Sequence, residues 1–172
     1  MRQNHFDTVV VGLGAVGSAT LYHLSRSGQR VLGLEQFTSP HSFGSSHGET
    51  RITRLAIGEG EDYVPLVIRS HEIWREIESQ TGADLLTCCG GLVIANDKKQ
   101  SSHGVNHFLK NTIHAAKRFS IPHEVLAPDE LQRRYPMFAL QGDEYGYFEP
   151  SAGFVRPENC IQAQLDLAHQ QG

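Results

Sequence analysis

The sequence TVVVGLGAVG, which occupies residues 8–17, decides the fold of this protein. It begins with consecutive β-branched residues and no polar alternation, a pattern typical of a strand buried on both faces of a parallel sheet. Gly12 permits a tight turn after the strand, Gly14 lets the backbone approach a pyrophosphate, and Gly17 lets the next helix lie close to the strand. The stretch therefore predicts the phosphate-binding turn of a dinucleotide-binding fold.

The residues that follow complete a βαβ unit. A helix is predicted over about 15–27, and its first N–H groups, at Ala15 and Val16, would point at the phosphates. A second parallel strand over 30–34 ends at Glu35, whose carboxylate is placed to accept hydrogen bonds from the ribose hydroxyls of an adenosine. An acid at this position also repels a 2′-phosphate, which argues against NADP. The predicted class is α/β, with a Rossmann βαβ unit.

A long loop follows this unit, because residues 36–50 show no helical or strand periodicity. A connection of this length inside a compact α/β unit is usually functional or disordered. It ends in His47, Thr50 and Arg51, with Arg54 just beyond. Such imidazole, hydroxyl and guanidinium groups can hold a substrate carboxylate, tune a cofactor ring electrostatically or stay solvated, and the residues alone leave these roles open.

The same loop contains GSSHG at residues 44–48, which matches the nucleophile-elbow pattern G-x-S-x-G of hydrolases. That motif requires an apolar strand directly before it and a helix directly after it. The preceding residues 38–42, TSPHS, do not have the pattern of a strand. We therefore do not expect a hydrolase.

Several motifs together point to one family. They are the Gly-rich turn, GSSHGETR at 44–51 and GEGEDYVPL at 58–66, followed by Trp74, RYP at 134–136, FEPSAG at 148–153 and ENC at 158–160. In this combination the chain resembles the monomeric sarcosine oxidase and N-methyltryptophan oxidase group, which are FAD-dependent amine oxidases of the D-amino-acid-oxidase superfamily. The loop that contains Arg51 is the most specific part of the resemblance, which covers the whole chain.

The resemblance implies a role for each group in the loop. Arg51 would lie over the isoalloxazine ring of FAD, Arg54 would grip the substrate carboxylate, and His47 would lie in the active site with Thr50. Ser46 departs from the family pattern, since relatives often carry a second His there. The predicted catalytic residues are His47, Thr50 and Arg51, and the predicted cofactor-binding residues are Gly12, Gly14, Ala15, Val16, Gly17, Glu35, Gln36, Ser45, Ser46, Thr50 and Arg51.

The activity that the resemblance implies is an FAD-dependent oxidation of secondary or N-methylated amino acids such as sarcosine. Its partners would be a small amine or amino-acid substrate and dioxygen, and its products an imine and hydrogen peroxide. Two alternatives remain open from the residues. An NAD-dependent dehydrogenase would use the Gly-rich turn and Glu35 equally well, and an incomplete sheet also suits an inactive nucleotide-binding fragment of a longer flavoprotein.

The composition argues against a nucleic-acid-binding protein and against a membrane protein. The 172 residues are 39% hydrophobic and 20% charged, which is ordinary for a globular protein with a core. A net charge of −4 with scattered Lys and Arg predicts no nucleic-acid partner. No apolar stretch approaches membrane-spanning length and the first residues do not begin a signal peptide, so we expect no membrane partner and a cytoplasmic location.

We also expect no metal site. His103 and His107 are four residues apart but have no third ligand at suitable spacing, so they are interpreted as solvated side chains. The chain has three cysteines, an odd count that suits a reducing compartment, and the adjacent Cys88 and Cys89 are predicted to be buried thiols at the start of a strand.

The remaining elements follow from periodicity. Further helices are predicted over about 62–80, 105–119, 128–135 and 157–171, and short strands over 91–95, 121–126, 145–148 and 153–156. We assign residues 1–82 and 147–172 to an incomplete FAD-binding domain, and residues 83–146 to part of an α+β substrate domain.

The last predicted helix would normally lead into a further parallel strand, and none follows. We therefore expect these residues to be the N-terminal portion of a longer oxidase. The resemblance implies that the missing C-terminal portion supplies another sheet strand, the rest of the substrate domain, a lysine that assists oxygen activation and the cysteine that tethers the flavin. None of the cysteines in this sequence, Cys88, Cys89 and Cys160, matches that tether.

Overall fold

The structure, a computed structural model, describes residues 5–96 and 105–171. The chain divides into two compact units. Unit 1 comprises residues 1–51, 73–86 and 155–172, and unit 2 comprises residues 52–72 and 87–154. Residues 52–72 thus pack in the second unit, whereas we assigned them to the FAD-binding domain. The assignment of functional domains stays a prediction.

The described residues form the following strands and helices in chain order. The strands are β1 (Thr8–Val11), β2 (Val31–Leu34), β3 (Arg51–Thr53), β4 (Leu86–Cys88), β5 (Gly91–Ala95), β6 (Glu124–Leu126), β7 (Tyr145–Glu149) and β8 (Gly153–Val155). The α-helices are α1 (Ala15–Arg26), α2 (Val64–Thr81), α3 (Phe108–Arg118), α4 (Pro128–Arg134) and α5 (Pro157–Gln170). A short 3₁₀ turn, Glu61–Tyr63, precedes α2.

The predicted βαβ unit is present in unit 1. Strands β1 and β2 pair in parallel, with Thr8 opposite Val31 and Val11 opposite Leu34. The expectation that β1 is buried on both faces was wrong for this chain, because Val10 is buried but Val11 is 82% exposed. Helix α1 contacts β1, and Val9 and Val11, which lie on the opposite face of the strand from Val10, are 50% and 82% exposed.

Two glycines set how closely α1 packs on its sheet. A Cβ added at Gly17 would lie 1.7 Å from the carbonyl oxygen of Gly12, so only glycine fits at position 17. Leu21 is bulky for a helix position against a sheet, where Ala or Gly is usual, and its size alone predicts looser or shifted packing. The structure makes room for it with Gly33 on β2, where a Cβ would lie 3.1 Å from both Leu21 and Leu13.

The core of unit 1 lies between α1, α5 and the C-terminal part of α2. Its buried side chains are Tyr22, Ile77, Leu85, Cys160, Ala163 and Leu167. A buried hydrogen bond of 2.8 Å from Ser18 Oγ to Gln164 Oε1 fixes α1 against α5. The two helices that carry this contact therefore hold the Gly-rich turn and the start of α5 in one packed body.

Unit 2 is built on an antiparallel sheet in the order β5-β7-β6. Strand β6 lies at the edge of that sheet, and Pro122, which has no N–H to donate to a neighbouring strand, precedes it. Helix α3 packs beside β5, and α4 packs beside β7. The core contains Ala56, Val64, Leu109, Ala115, Ala116, Ile121 and Tyr147.

A third small sheet has the order β3-β8-β4. Strand β8 and the helix α5 that follows it were both predicted from the sequence.

Cysteine burial differs from the prediction. Cys88 and Cys89 are exposed rather than buried, because Cys88 ends β4 and Cys89 lies in the turn before β5. The predicted solvated pair His103 and His107 cannot be compared as a pair, since His103 lies outside the described residues. Among the helices of the described ranges, none combines the length and the apolar character needed to cross a membrane.

Candidate functional site

The acid at the end of β2 lies directly beside the Gly-rich turn. Glu35 Oε2 accepts a hydrogen bond of 2.7 Å from Leu13 N–H, and Oε1 accepts one of 2.7 Å from Gln36 N–H. These bonds, with the one from Leu13 as the largest influence, hold the pKa of Glu35 below its usual range. The carboxylate is therefore an anionic acceptor at neutral pH, fixed next to the turn.

An aromatic cluster that the sequence did not predict lies next to Glu35. His41 Nε2 is 3.5 Å from Glu35 Oε1. The ring of Phe37 lies 5.2 Å from that of His41 and 4.3 Å from that of Phe43, measured between centroids. The spacing of these residues, in a loop without periodicity, gave no signal for this cluster.

The long loop folds back onto the N-terminus of α1. Ser46 Oγ accepts a hydrogen bond of 3.1 Å from Ala15 N–H, and Ser39 Oγ donates one of 2.9 Å to Leu13 O. A Cβ added at Gly14 would lie 3.2 Å from Ser46 Oγ. Ser46 thus lies over the glycine at which a diphosphate is expected to approach the backbone.

The helix end itself suits an anion. Gly14 precedes α1 without a side-chain cap, and the first turn of α1 contains no acidic residue. Apart from Ala15 N–H, which donates to Ser46 Oγ, the first N–H groups of α1 and the positive end of the helix dipole face the space beside Gly14. Gly14 has no Cβ, so a ligand can approach its backbone. Gly17 lets α1 lie close to the turn, so that the helix end lies beside Gly14. The residues present therefore fit a dinucleotide diphosphate.

Arg51 is held by its own loop. Its guanidinium donates a hydrogen bond of 2.8 Å to Thr50 O and one of 3.0 Å to Ser45 O. Gly48 has a φ of +102°, and a Cβ there would lie 3.2 Å from the Arg51 guanidinium. Because both acceptors are neutral carbonyl oxygens, these contacts orient the guanidinium without neutralising its charge.

The start of α5 also contacts this loop, through Glu158. This residue belongs to the ENC motif at 158–160, but the motif did not predict the contact. Glu158 Oε1 accepts hydrogen bonds from Gly48 N–H at 2.7 Å and from Glu49 N–H at 3.4 Å. The two contacting segments are 110 residues apart in sequence, and no local pattern links them.

Arg54 lies in unit 2. One nitrogen of its guanidinium, Nη2, forms an ion pair with both carboxylate oxygens of Glu59, at 2.8 and 2.7 Å, and the guanidinium lies 5.6 Å from the centroid of the Phe108 ring. Its Nε is buried and has no hydrogen-bond partner among the residues that the structure describes. A buried, unsatisfied donor on a cation is suited to an additional anionic acceptor.

The backbone that follows Arg54 is fixed by a buried carboxylate. Glu149 accepts hydrogen bonds of 2.7 Å from Leu55 N–H and 3.1 Å from Ala56 N–H. Tyr147 Oη and Ser151 Oγ donate to the same carboxylate at 2.9 and 3.0 Å.

Within unit 1 the structure brings together most of the residues that we singled out. The turn residues, Glu35 and the loop from Ser45 to Arg51 lie around the N-terminus of α1. The side chain of Val16 is exposed at that end of the helix, and His47 is half-buried close enough to Glu158 for its charge to lower the pKa of that carboxyl. Arg54 belongs to the other unit.

Comparison with known proteins decides the family. Residues 7–172 match the family model described as "FAD dependent oxidoreductase". The chain belongs to this family. The predicted resemblance, the α/β class with an FAD-type Rossmann unit, and FAD as the cofactor are thereby confirmed, whereas an NAD-dependent enzyme finds no support.

Curated relatives agree with this family. The chain is 42% identical over 167 residues to a monomeric sarcosine oxidase of Streptomyces avermitilis, a match that covers 97% of this chain and 42% of that protein. It is 35% identical over 167 residues to an N-methyl-L-tryptophan oxidase of Yersinia pestis, which covers 97% of this chain and 43% of that protein. The chain thus spans less than half the length of these relatives.

Solved structures extend the similarity to the fold. NikD, an unusual amino acid oxidase essential for nikkomycin biosynthesis, matches with a TM-score of 0.80 and 29% identity over 97% of this chain and 42% of that chain. L-proline dehydrogenase from P. horikoshii matches with a TM-score of 0.75 and 22% identity over 97% of this chain and 42% of that chain, which supports the fold alone.

Proposed function

We propose that the protein carrying this chain is an FAD-dependent oxidase of secondary or N-methylated amino acids. The observation that carries the proposal is the meeting of Glu35, the Gly-rich turn and the Ser46 loop at one helix end. Relatives named as sarcosine and N-methyltryptophan oxidases support the substrate class. The reaction would convert the amine to an imine, which hydrolyses, and dioxygen to hydrogen peroxide.

The nucleotide part of FAD would be held by unit 1. The turn and the first N–H groups of α1 would bind the diphosphate, while Glu35 and the backbone at Gln36 would hold the adenosine ribose. The residues proposed to bind the cofactor are those predicted from the sequence: Gly12, Gly14, Ala15, Val16, Gly17, Glu35, Gln36, Ser45, Ser46, Thr50 and Arg51. FAD, when bound, supplies the two-electron redox chemistry.

The loop residues would set the electrostatics of the reaction. Arg51 presents a guanidinium whose orientation is fixed by Ser45 O and Thr50 O, and a positive charge in this position stabilises negative charge that develops nearby. His47 and Thr50 would complete the polar lining of the site. The pairing of Arg51 with carbonyl oxygens supports this role, since its charge stays available.

Arg54 would bind the substrate carboxylate. Glu59 already engages one guanidinium nitrogen, while the buried Nε keeps an unused donor. A substrate carboxylate that accepts a hydrogen bond from the accessible part of the guanidinium, whose side chain is 23% exposed, would add a second anion to the cation. Phe108, which lies beside the guanidinium, would restrict its movement.

Substitution of Arg54 in the complete protein tests this role. We expect Arg54→Ala to raise KM for amino-acid substrates by about tenfold or more, because a charge-assisted hydrogen bond contributes roughly 1.5–3 kcal/mol. Arg54→Lys keeps the charge but not the planar fork, and we expect an intermediate effect. Arg133→Ala is the matched control, since Arg133 forms an exposed ion pair with Glu130. An Arg54→Ala enzyme with the KM of the control would contradict the role.

A spectrum tests the function as a whole. The complete protein should be yellow, with the visible absorption of an oxidised flavin, and should consume dioxygen and release peroxide with sarcosine-like substrates. Recording the spectrum before and after acid precipitation also shows whether the flavin is covalently attached. A colourless protein that oxidises substrate only with added NAD would contradict the proposal.

A further inference from the structure

The loop that carries Arg51 contains a strained turn. We call residues 44–51 the Arg51 loop. Gly48 and Glu49 both have positive φ, at +102° and +63°, and Thr50 N–H donates to Gly48 O at 2.6 Å. Glu49 is not a glycine, and a side chain in this region of φ persists only where surrounding contacts hold it. Something outside the turn must therefore stabilise it.

That contact is the carboxylate of Glu158. Successive N–H groups in such a turn point in one direction and form a concave site for an anion. Glu158 Oε1 occupies this site, at 2.7 Å from Gly48 N and 3.4 Å from Glu49 N. Burial raises the pKa of Glu158, but hydrogen bonds from its own N–H, from Gly48 and from Glu49, together with His47, lower it in net. The group is anionic at neutral pH, as the site requires.

Movement of this turn would move Arg51. Gly48 packs against the guanidinium, and that guanidinium binds the carbonyl oxygens on either side of the turn, at Ser45 and Thr50. The carboxylate that holds the turn belongs to the first turn of α5. Helix α5 is fixed in turn to α1 through Ser18 and Gln164.

We propose that Glu158 is a positioning residue of the flavin site, which holds the Gly48–Glu49 turn and thereby places the Arg51 guanidinium. The proposal rests on the proposed function, because Arg51 is assigned there to the cofactor. It assigns Glu158 no contact with cofactor or substrate. Its part is to fix the Arg51 loop to the same helix pair that carries the phosphate-binding turn.

Three substitutions in the complete protein separate the hydrogen bonds from the charge. Glu158→Ala removes both, Glu158→Gln keeps an amide oxygen at the same reach but removes the charge, and Glu158→Asp keeps the charge but shortens the reach. Glu49→Gln is the matched control, because it removes a negative charge from the same turn and leaves both backbone donors in place.

The first measurement is hydrogen–deuterium exchange of peptides that cover residues 44–51, with and without bound flavin. We expect Glu158→Ala to raise the exchange rate of the Gly48 and Glu49 amides by about tenfold or more, and Glu158→Gln to raise it less, because its amide oxygen still accepts the bonds but lacks the charge. The second is the anaerobic rate constant for flavin reduction by a sarcosine-like substrate. It should fall about tenfold or more in Glu158→Ala, since displacement of a group near the reacting atoms by about 1 Å can have such an effect.

The order of the variants decides the outcome. If the Glu158 carboxylate holds the turn, Gln is partly impaired and Asp and Ala are impaired more strongly, while the Glu49→Gln control matches the wild type. If Gln and Asp both match the wild type in exchange and in reduction rate, Glu158 does not hold the turn and the proposal is wrong. The comparison of Gln with Asp carries the test even if Glu158→Ala does not fold.

The failure of this inference is distinguishable from failure of the proposed function. A wild-type protein that binds flavin and oxidises substrate, with a Glu158→Ala variant equal to it in exchange and reduction rate, overturns the inference alone. A wild-type protein without flavin overturns the proposed function, and the role of Glu158 toward the flavin with it.

Discussion

Glu149 is the most deeply buried acid in the described part of unit 2, with no exposed surface. It accepts two backbone N–H bonds from the residues that follow Arg54 and two hydroxyl bonds, from Tyr147 and Ser151. Burial, and next the nearby charge of Glu149, raise the pKa of Tyr147. The phenol therefore stays protonated and remains a donor, so that each carboxylate oxygen is satisfied.

This arrangement predicts a large effect of removing the acid. We expect Glu149→Ala to lower the free energy of unfolding by about 3 kcal/mol or more, because it leaves buried N–H and hydroxyl groups unsatisfied, each costing roughly 1–3 kcal/mol. Tyr147→Phe removes one donor and should cost about 1–2 kcal/mol. Urea unfolding of the complete protein measures both. Glu130→Gln, on an exposed ion pair, is the control. Equal stability of Glu149→Ala and this control would show that the buried network is not stabilising.

At the scale of elements, the βαβ unit depends on the approach of α1 to the turn before it. A Cβ on Gly17 would meet the carbonyl oxygen of Gly12 at 1.7 Å, and backbone atoms cannot move aside as the end of a side chain can. A Cβ on Gly60, by contrast, would meet only the Tyr63 ring at 3.4 Å, in ordinary contact, and its φ of 170° is open to any residue.

We therefore expect Gly17→Ala to shift α1 away from the turn. The unfolding free energy should fall by roughly 2 kcal/mol or more, an effect in the range of overpacking. Flavin content after purification should fall as well, because the N–H groups at the helix end would move with α1. Gly60→Ala should change the unfolding free energy by less than about 0.5 kcal/mol. Retention of full flavin content by Gly17→Ala would show that the helix does not need this close approach.

The elements were predictable because their signals are local. The glycine spacing, the run of valines and Glu35 at a strand end predicted the βαβ unit, and periodicity located α2, α3 and α5 within a few residues. The contacts that shape the candidate site are not local. Glu158 reaches Gly48 across 110 residues, and the space for Leu21 is provided by a glycine on the neighbouring strand, so neither follows from spacing along the chain.

Exposure was the other feature that the sequence could not predict. The valines of β1 have the pattern of a strand covered on both faces, but burial depends on which elements pack against the sheet. In the same way, cysteine is a residue type that is often buried, yet Cys88, at the end of β4, and Cys89, just after it, are both exposed. A pattern in the sequence records what a residue prefers, whereas its exposure is set by packing partners distant in the chain.

At the scale of the whole molecule, three carboxylates with lowered pKa lie in unit 1. Glu35 is held mainly by Leu13 N–H. In Glu78, burial raises the pKa, but N–H groups of Leu86 and Leu85 and the guanidinium of Arg75 outweigh it. In Glu158, burial raises the pKa, but hydrogen bonds from its own N–H and from Gly48 and Glu49, together with His47, outweigh it. Each carboxylate accepts N–H hydrogen bonds from a loop or strand end of unit 1, and it accepts them in its ionised form.

These shifts predict acid sensitivity of unit 1. A carboxyl whose pKa is lower in the folded protein contributes stability that is fully present above its unfolded value of about 4.3, and loses it as the pH falls through the lower folded value. Hydrogen exchange in peptides from residues 31–51 and 82–86 should therefore accelerate, relative to the intrinsic rate, between about pH 5 and pH 3. Glu78→Gln should destabilise the protein at pH 7, because the amide replaces the ionised acceptor of two N–H groups. The difference in unfolding free energy between this variant and the wild type should shrink as the pH falls below about 4. A difference that stays constant from pH 7 to pH 3 would mean that Glu78 acts through its shape and not through its charge.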